Sequence, residues 1–484
     1  MSSRLSKLLT DREKARMSKS SDEAVSMHSL LVLGIMLLVC VLLTYIIPAG
    51  TYQRYTDTGT GIELVDTESF QFIERTPPGL IDVFKSLTLG LQKGSDIVFY
   101  LLIVGGMFGV INATGALNIG IANLLRLLKN KEWLLIPVMM TAFGCGSAFC
   151  ANYEEYLVFV PLMLACCITA GFDSLTAVAV IFLSATAGYA GGMTNAFTVG
   201  KAQEIAALPL YSGFGYRLQI FIILLGTAVV YVTVRAIRMK KRPKLSIVYA
   251  FDRKYNADTH LNLSRIPKMT ARHTITLVIF LAGLIYAVSM VIIKGYYVDE
   301  LAAIFIMTSI AAGISGGLSP NKICRSFVSG CKDMLLPCLI IGFVNSSILI
   351  LQDANIMDTI LYAFAAAVNH VPKSVAPAVM FALHDVFNIF VPSGSAQASV
   401  TMPLMIPIAD SIGMTRQAAV VAYQLGDALT NALSPTSGEV LAAIAICRVP
   451  FSKWVRYLLP LFIIWFVTSA VFATAAAFTR LGPF

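Results

Sequence analysis

The sequence predicts an all-α polytopic membrane protein whose two halves repeat one plan in opposite orientations. Three observations lead there: an apolar composition, many runs long enough to cross a bilayer, and short motifs that recur in the same order in both halves. Of 484 residues, 57% are hydrophobic and only 13% charged, and the mean hydropathy is +0.76. Soluble globular domains carry roughly 25% charged residues. A chain this poor in charge cannot cover a water-facing surface, so lipid must solvate it, and a spanning helix needs about 20 mostly apolar residues.

The elements follow in order. Residues 1–28 form a basic tail with Arg4, Lys7, Arg12, Lys14, Arg16 and Lys19. The run from Ser29 to Pro48 is a first, uncleaved span, with no small-residue cleavage site after it. The acidic stretch 51–78 suits the outer face. An amphipathic piece (79–93), a span (96–113) and an interfacial helix (119–131) come next. Residues 133–148 start as a span but run into GCGSAFCANYEE, too short and glycine-rich for a plain crossing. Apolar runs at 156–170 and 174–191 precede GGMTNAFTVGKAQEIAALP, which is polar where a membrane helix should be. A clean span at 218–238 ends in a polar loop, 239–272. After a linking helix (273–298), residues 299–484 resemble the first repeat (29–238), with pieces at 299–317, 320–332, 334–352, 355–369 and 374–390, an irregular stretch, and a last span at 457–478.

The net charge of +9 sits mainly in the tail and in the loop from Arg235 to Arg272. Basic residues gather on the cytoplasmic side of membrane proteins. The pattern therefore places the N-terminus in the cytoplasm of a multi-pass protein of a bacterial inner membrane, with the lipid bilayer as a partner. No nucleic-acid-binding pattern accompanies the charge. The nine cysteines lie mostly in apolar runs without metal-ligand spacing, which predicts no disulfide and no zinc.

The repeat is read from GSA at 146–148 and 394–396, PLM at 161–163 and 403–405, and TNA at 194–196 and 430–432. The first repeat starts inside and the second, after one more crossing, starts outside, so the two are inverted. Inverted repeats give a transporter two states open to opposite sides. A channel or a membrane-embedded enzyme does not need them, and no Ser-His-Asp, phosphate-loop or metal pattern stands out.

The interruptions are the candidate site. Backbone groups in the bilayer core need partners, so a break is tolerated only where protein or a wet cavity supplies them. The candidate solute-binding residues of the four breaks are Ser147, Asn152, Glu154, Glu155, Thr194, Asn195, Lys201, Asn388, Ser393, Ser395, Thr430, Asn431, Ser434 and Thr436. Ionisable groups in lipid are costly and therefore functional candidates. His384, Asp385 and Asp427 are assigned to ion coupling; Glu204 follows the first TNA, and Glu439 lies beyond the second. Asp173 and Asp410 read as turn or helix-end residues. No cofactor is expected beyond a coupling ion, sodium or a proton.

Four stretches carry a resemblance: NYEEYLVFVPLMLACCITAGFDSLTAVAV, MTNAFTVGKAQEIAALPLYSGFGYR, NIFVPSGSAQASVTMPLMIPIADSIGMTRQAAVVAYQLGD and TNALSPTSGEVLAAIAICRVPFSKW. The chain resembles the YfcC-like branch of the DcuC family, the anaerobic four-carbon dicarboxylate carriers, within the ion-transporter superfamily. The resemblance implies a re-entrant hairpin and an interrupted helix in each inverted repeat, and a homodimer with elevator-type alternating access. It also implies that Ser147, Thr194, Asn195, Ser395, Thr430 and Asn431 contact ions and carboxylate. The chain departs from the family pattern at Lys201, where an apolar residue is usual, and at Asn195-Ala196, where Asn-Pro is common. The function expected is secondary transport of a small-molecule substrate, foremost antiport of a basic amino acid such as arginine or ornithine. Glu154 or Glu155 would then face the cationic side chain, and a half-helix N-terminus the carboxylate. The alternative is a proton- or sodium-coupled dicarboxylate carrier with Lys201 as anion contact.

Overall fold

The computed structural model describes residues 29–56, 63–66, 68–128, 131–256, 269–294, 296 and 298–482. The basic tail 1–28 and residues 257–268 of the polar loop lie outside them. The described chain is a multi-pass helical protein. Seven of its helical segments are long and apolar enough to cross a membrane, and three more apolar helices are shorter.

Helices α1 (Ser29–Ile46), α2 (Leu80–Lys93), α3 (Ser95–Thr114) and α4 (Ala116–Leu128) open the chain. Between α1 and α2 the polar stretch forms two small antiparallel ladders, β1 (Gly50–Thr51) with β4 (Gln71–Phe72) and β2 (Arg54–Thr56) with β3 (Glu63–Val65). The expectation of an all-α chain is corrected here. The ladders are anchored by Asp358, which accepts from the Tyr52 N–H at 3.1 Å and pairs with Arg54 at 2.9 Å.

A second set follows: α5 (Leu135–Cys150), α6 (Val160–Ala170), α7 (Ser174–Gly191), the short α8 (Lys201–Ile205) and α9 (Phe214–Lys241). The small α10 (Tyr249–Tyr255) lies in the polar loop. Then come α11 (Ala271–Lys294), α12 (Val298–Ser315), α13 (Pro320–Asp333), α14 (Leu335–Asp353) and α15 (Met357–His370). The chain ends with α16 (Ala376–Phe387), α17 (Gly394–Ile412), α18 (Arg416–Asn431), α19 (Gly438–Ile446) and α20 (Phe451–Phe478).

Packing sorts the helices into two groups, each drawn from both halves of the chain. In one, α3 packs on α12 and α13, α14 on α1 and α2, and α11 on α12. In the other, α7 packs on α5 and α9, and α18 on α16, α17, α20 and α7. Close approach is achieved with small residues, as membrane helices require. A Cβ on Gly330 of α13 would fall 2.0 Å from the Gly105 carbonyl of α3, and one on Gly188 of α7 would fall 2.2 Å from the Gly144 carbonyl of α5. Helix α7 is buried along nearly its whole length, its sequence dominated by Ala, Ser, Thr and Gly. By contrast α1, α9, α11 and α20 present exposed Leu, Ile and Val, a surface suited to lipid.

One expectation about the first break is corrected. GCGSAFC does not interrupt its helix; α5 continues through it to Cys150 and stops where Ala151 takes φ 60°. Its glycines serve the crossing with α7. The apolar run at 156–170 is divided between a 3-10 stretch, Glu154–Phe159, and α6. Asp173 is the N-cap of α7, accepting from the Thr176 N–H at 3.0 Å. Asp410 pairs with Arg416 at 2.8 Å across the turn between α17 and α18.

Candidate functional site

Four interruptions of helix meet in the middle of the second packing group. The first, after α5, is the segment 151–153 and its 3-10 continuation. The second follows α7, where Gly192 at φ 49° ends the helix and Asn195 caps the next turn by accepting from the Phe197 and Thr198 N–H groups. The third, 388–393, separates α16 from α17. The fourth, 432–437, separates α18 from α19.

The breaks are bonded in pairs, and the two TNA tripeptides do the bonding. Thr194 donates to the Phe149 carbonyl at 2.6 Å, near the end of α5. Thr430 donates to the Asp385 carbonyl at 2.8 Å, near the end of α16. Each threonine thus satisfies a carbonyl that a terminating helix leaves without an intrahelical partner. Asn388 donates to the Asp427 carbonyl at 2.7 Å and to Asn431 Oδ1 at 2.8 Å, locking the third break to the fourth. Ser434 and Thr436 bond to each other inside the fourth. The GSA tripeptides are not equivalent in this way. The first lies within α5, before its break, and the second opens α17, after its break.

Where the breaks converge there is a cavity of about 440 Å³. Of the candidate residues it brings together Glu154, Glu155, Ser393, Ser395 and Asn431. It adds Glu439, from the first turn of α19, and the aromatic side chains of Tyr153, Tyr189, Phe197 and Tyr296. Three carboxylates thus line one chamber, and among the described residues of its wall there is no Lys, Arg or His. Glu155 also accepts from the Tyr153 N–H at 3.0 Å, and Glu439 from the Ser437 hydroxyl at 3.4 Å, so both are held by their own breaks. The N-terminus of α17, at Ser393 to Ser395, also lines the cavity. A helix N-terminus offers unpaired N–H groups and the positive end of the helix dipole. The lining therefore includes both cation-attracting carboxylates and an anion-attracting helix end.

Other candidates lie elsewhere. Ser147 is fully buried and donates to the Ala185 carbonyl at 2.8 Å, joining α5 to α7. Lys201 does not line the chamber; it pairs with Glu204 at 3.0 Å, both partly exposed. Asn152 is buried behind Glu155, in a smaller cavity against Tyr100 and Phe305. Thr194, Asn195, Asn388, Thr430, Ser434 and Thr436 shape the breaks rather than the chamber wall. His384, Asp385 and Asp427 are buried behind it, in α16 and α18.

Sequence reasoning placed Glu439 only as a flank of the second TNA. Its sign was available: a carboxylate two residues beyond Ser437 in a polar interruption. Tyr296 comes from beyond the end of α11, and no local pattern marks it.

Comparison with known proteins gives the family. The family profile DcuC, the C4-dicarboxylate anaerobic carrier, matches residues 27–478. The chain belongs to the DcuC family. Over 472 residues it is 30% identical to the "Putative basic amino acid antiporter YfcC" of Escherichia coli (strain K12), covering 90% of this chain and 93% of that protein. An uncharacterised protein of Haemophilus influenzae is 29% identical over 397 residues, 81% of this chain and 77% of the other. Among solved structures, the Alcanivorax borkumensis YdaH transporter aligns with 94% of the chain at 16% identity and a TM-score of 0.41. This DcuC member is a membrane transporter of small molecules and not an enzyme.

Proposed function

We propose that this DcuC-family member is a secondary active antiporter of a basic amino acid of the arginine or ornithine type. The observation that carries the reading is the gathering of Glu154, Glu155 and Glu439 in one chamber, with no basic side chain among the described residues of its wall. At reduced dielectric, three carboxylates favour a solute with two positive groups and disfavour a dianion. The N-terminus of α17, with Ser393 and Ser395, faces the single carboxylate of such a solute. Tyr153, Tyr189 and Tyr296 supply ring faces on which a guanidinium or ammonium group can rest. The name of the Escherichia coli relative agrees with this class.

In this reading the two halves are inverted repeats, each with a re-entrant hairpin and an interrupted helix. Elevator-type movement of the broken-helix group against the other packing group alternates access, in a homodimer of the bacterial inner membrane with the N-terminus in the cytoplasm. The recurrence of helix, break, helix, helix, break, helix in α5 to α8 and again in α16 to α19 supports it. The second reading, a four-carbon dicarboxylate carrier, is favoured by the family profile. It loses Lys201 as its anion contact, since that side chain is paired with Glu204 away from the chamber.

Thermal unfolding of the purified, detergent-solubilised protein tests this, because a ligand of the folded state raises the melting temperature by mass action. Arginine or ornithine should raise it and succinate or fumarate should not. Stabilisation by the dicarboxylates alone would reverse the assignment.

A further inference from the structure

We propose that a second solute site lies in the crevice between the two packing groups, and that it takes a zwitterionic amino acid with an apolar side chain. The crevice is a cavity of about 390 Å³ that shares no lining residue with the chamber. One packing group supplies Phe108 and Asn112 of α3, Asn118 of α4 and Asp333 at the end of α13. The other supplies Leu164 of α6, Ile446 of α19 and Arg448 just after it. Arg448 also donates to the Tyr255 carbonyl at 2.6 Å, so the crevice lies toward the face that carries the polar loop. The chamber carries Tyr296, beyond the other end of α11.

Asp333 is the residue that calls for a ligand. Ser326 lies against Gly109 and Gly330 against Gly105, so α13 runs antiparallel to α3. Its last residue, Asp333, therefore sits level with the middle of α3, a helix long and apolar enough to cross a membrane. Asp333 is exposed to the crevice there and takes part in none of the ion pairs found among the described residues. An ionisable group at that depth is costly, and it is held where it faces a wet cavity or a partner. Arg448 is also exposed and in none of those ion pairs. Two opposite charges thus line one cavity from the two groups without neutralising each other.

That pair matches the ammonium and the carboxylate of an amino acid, each of which would gain a charge-assisted hydrogen bond. Asp333 and Arg448 are the charged residues of the described lining. With one charge of each sign the site balances a zwitterion, and it leaves the extra charge of arginine or of a dicarboxylate unmatched. Asn112 and Asn118 add amide donors and acceptors, and Phe108, Leu164 and Ile446 give the ligand's side chain an apolar wall. A ligand held by both groups ties them together. On the transport reading, on which this step alone rests, it favours one arrangement of the groups over the other and slows exchange between them.

Binding is tested by thermal shift of the purified protein with leucine, with isocaproate, which lacks the amine, and with isoamylamine, which lacks the carboxylate. Leucine should raise the melting temperature and neither analogue should match it. Asp333→Asn should weaken leucine binding about tenfold or more, the loss of one charge-assisted contact. Ala165→Phe, which fills the crevice and leaves both charges in place, should abolish it. A native protein that leucine does not stabilise overturns the site, as does an analogue that stabilises it equally. A leucine shift kept in a folded Asp333→Asn but lost in Glu439→Gln places leucine in the chamber and overturns it too. In proteoliposomes, leucine should slow arginine uptake by the native chain and slow it less in Asp333→Asn; equal slowing in both overturns the tie between the groups. If arginine is not taken up at all, the transport reading fails by itself. The leucine shift and its loss in Asp333→Asn then still decide the crevice site.

Discussion

Glu439 is the residue on which the charge of the chamber turns. It comes from a different half of the chain than Glu154 and Glu155, yet all three line one cavity. Removing one charge-assisted contact of this kind costs about 1.5–3 kcal/mol. Glu439→Gln should therefore weaken arginine binding roughly tenfold to a hundredfold, as read from ligand-dependent melting. Lys201→Ala should leave arginine binding within about twofold of native, because exposed i,i+3 pairs contribute little and Lys201 is engaged with Glu204. A large loss of succinate transport in that variant would instead restore Lys201 to the site. Asn431→Leu should abolish uptake while membrane insertion is kept, since Asn431 both lines the chamber and accepts from Asn388 at 2.8 Å. Normal uptake would remove it from the site.

At the scale of the element, small residues and polar caps decide where helices stop. Helix α5 runs through its glycines because Gly144 meets Gly188 of α7 in backbone contact. Gly188→Ala forces the two helices apart, and overpacking of this sort costs about 1–3 kcal/mol; a lower melting temperature in detergent is expected. The short α10 is tied down at both ends of the broken-helix group. Its Asp252 accepts from the Ser174 N–H at 3.1 Å, and Asn256 just after it donates to the Cys447 carbonyl at 3.0 Å. Burial raises the Asp252 carboxyl above its ordinary value of 3.8. A raised carboxyl favours the docked state when protonated. Docking should therefore weaken as pH rises from 3.8 through the raised value, then level off. Amide exchange of residues 249–255 followed against pH should show this, and Asp252→Asn should flatten it.

Over the whole molecule, two groups of helices share the chain, and the candidate site lies almost entirely within one of them. That group combines residues 132–241 with residues 376–478, so neither half of the sequence builds the chamber alone. Tyr296, between α11 and α12, is the exception that brings the other group to its wall. If the halves are inverted, a reporter fused at the C-terminus should be active outside the cell and inactive inside. A cytoplasmic result would mean the number of crossings differs by one and the halves are not inverted.

Much was legible before folding is considered. Hydropathy alone marks a lipid-solvated chain, because composition fixes which solvent a surface can meet. Helix positions followed from run lengths and caps, as at Asp173 and in the span 174–191, which matches α7 residue for residue. The breaks were visible as polar residues where lipid allows none, and the same signal singled out Glu154, Glu155, Ser393, Ser395 and Asn431, which line one cavity. Local sequence could not say which way a polar side chain faces once a helix has ended. Tertiary structure turned Ser147 into a helix-to-helix tie, paired Lys201 with Glu204, and brought Glu439 and Tyr296 to the chamber. It also gave the tripeptides different meanings: the two TNA threonines make the same bond in both halves, and the two GSA sites do not correspond. The physical reason is range. Solvent preference and helix capping are settled within a few residues, whereas a binding chamber is a property of segments that meet only when the whole chain has packed.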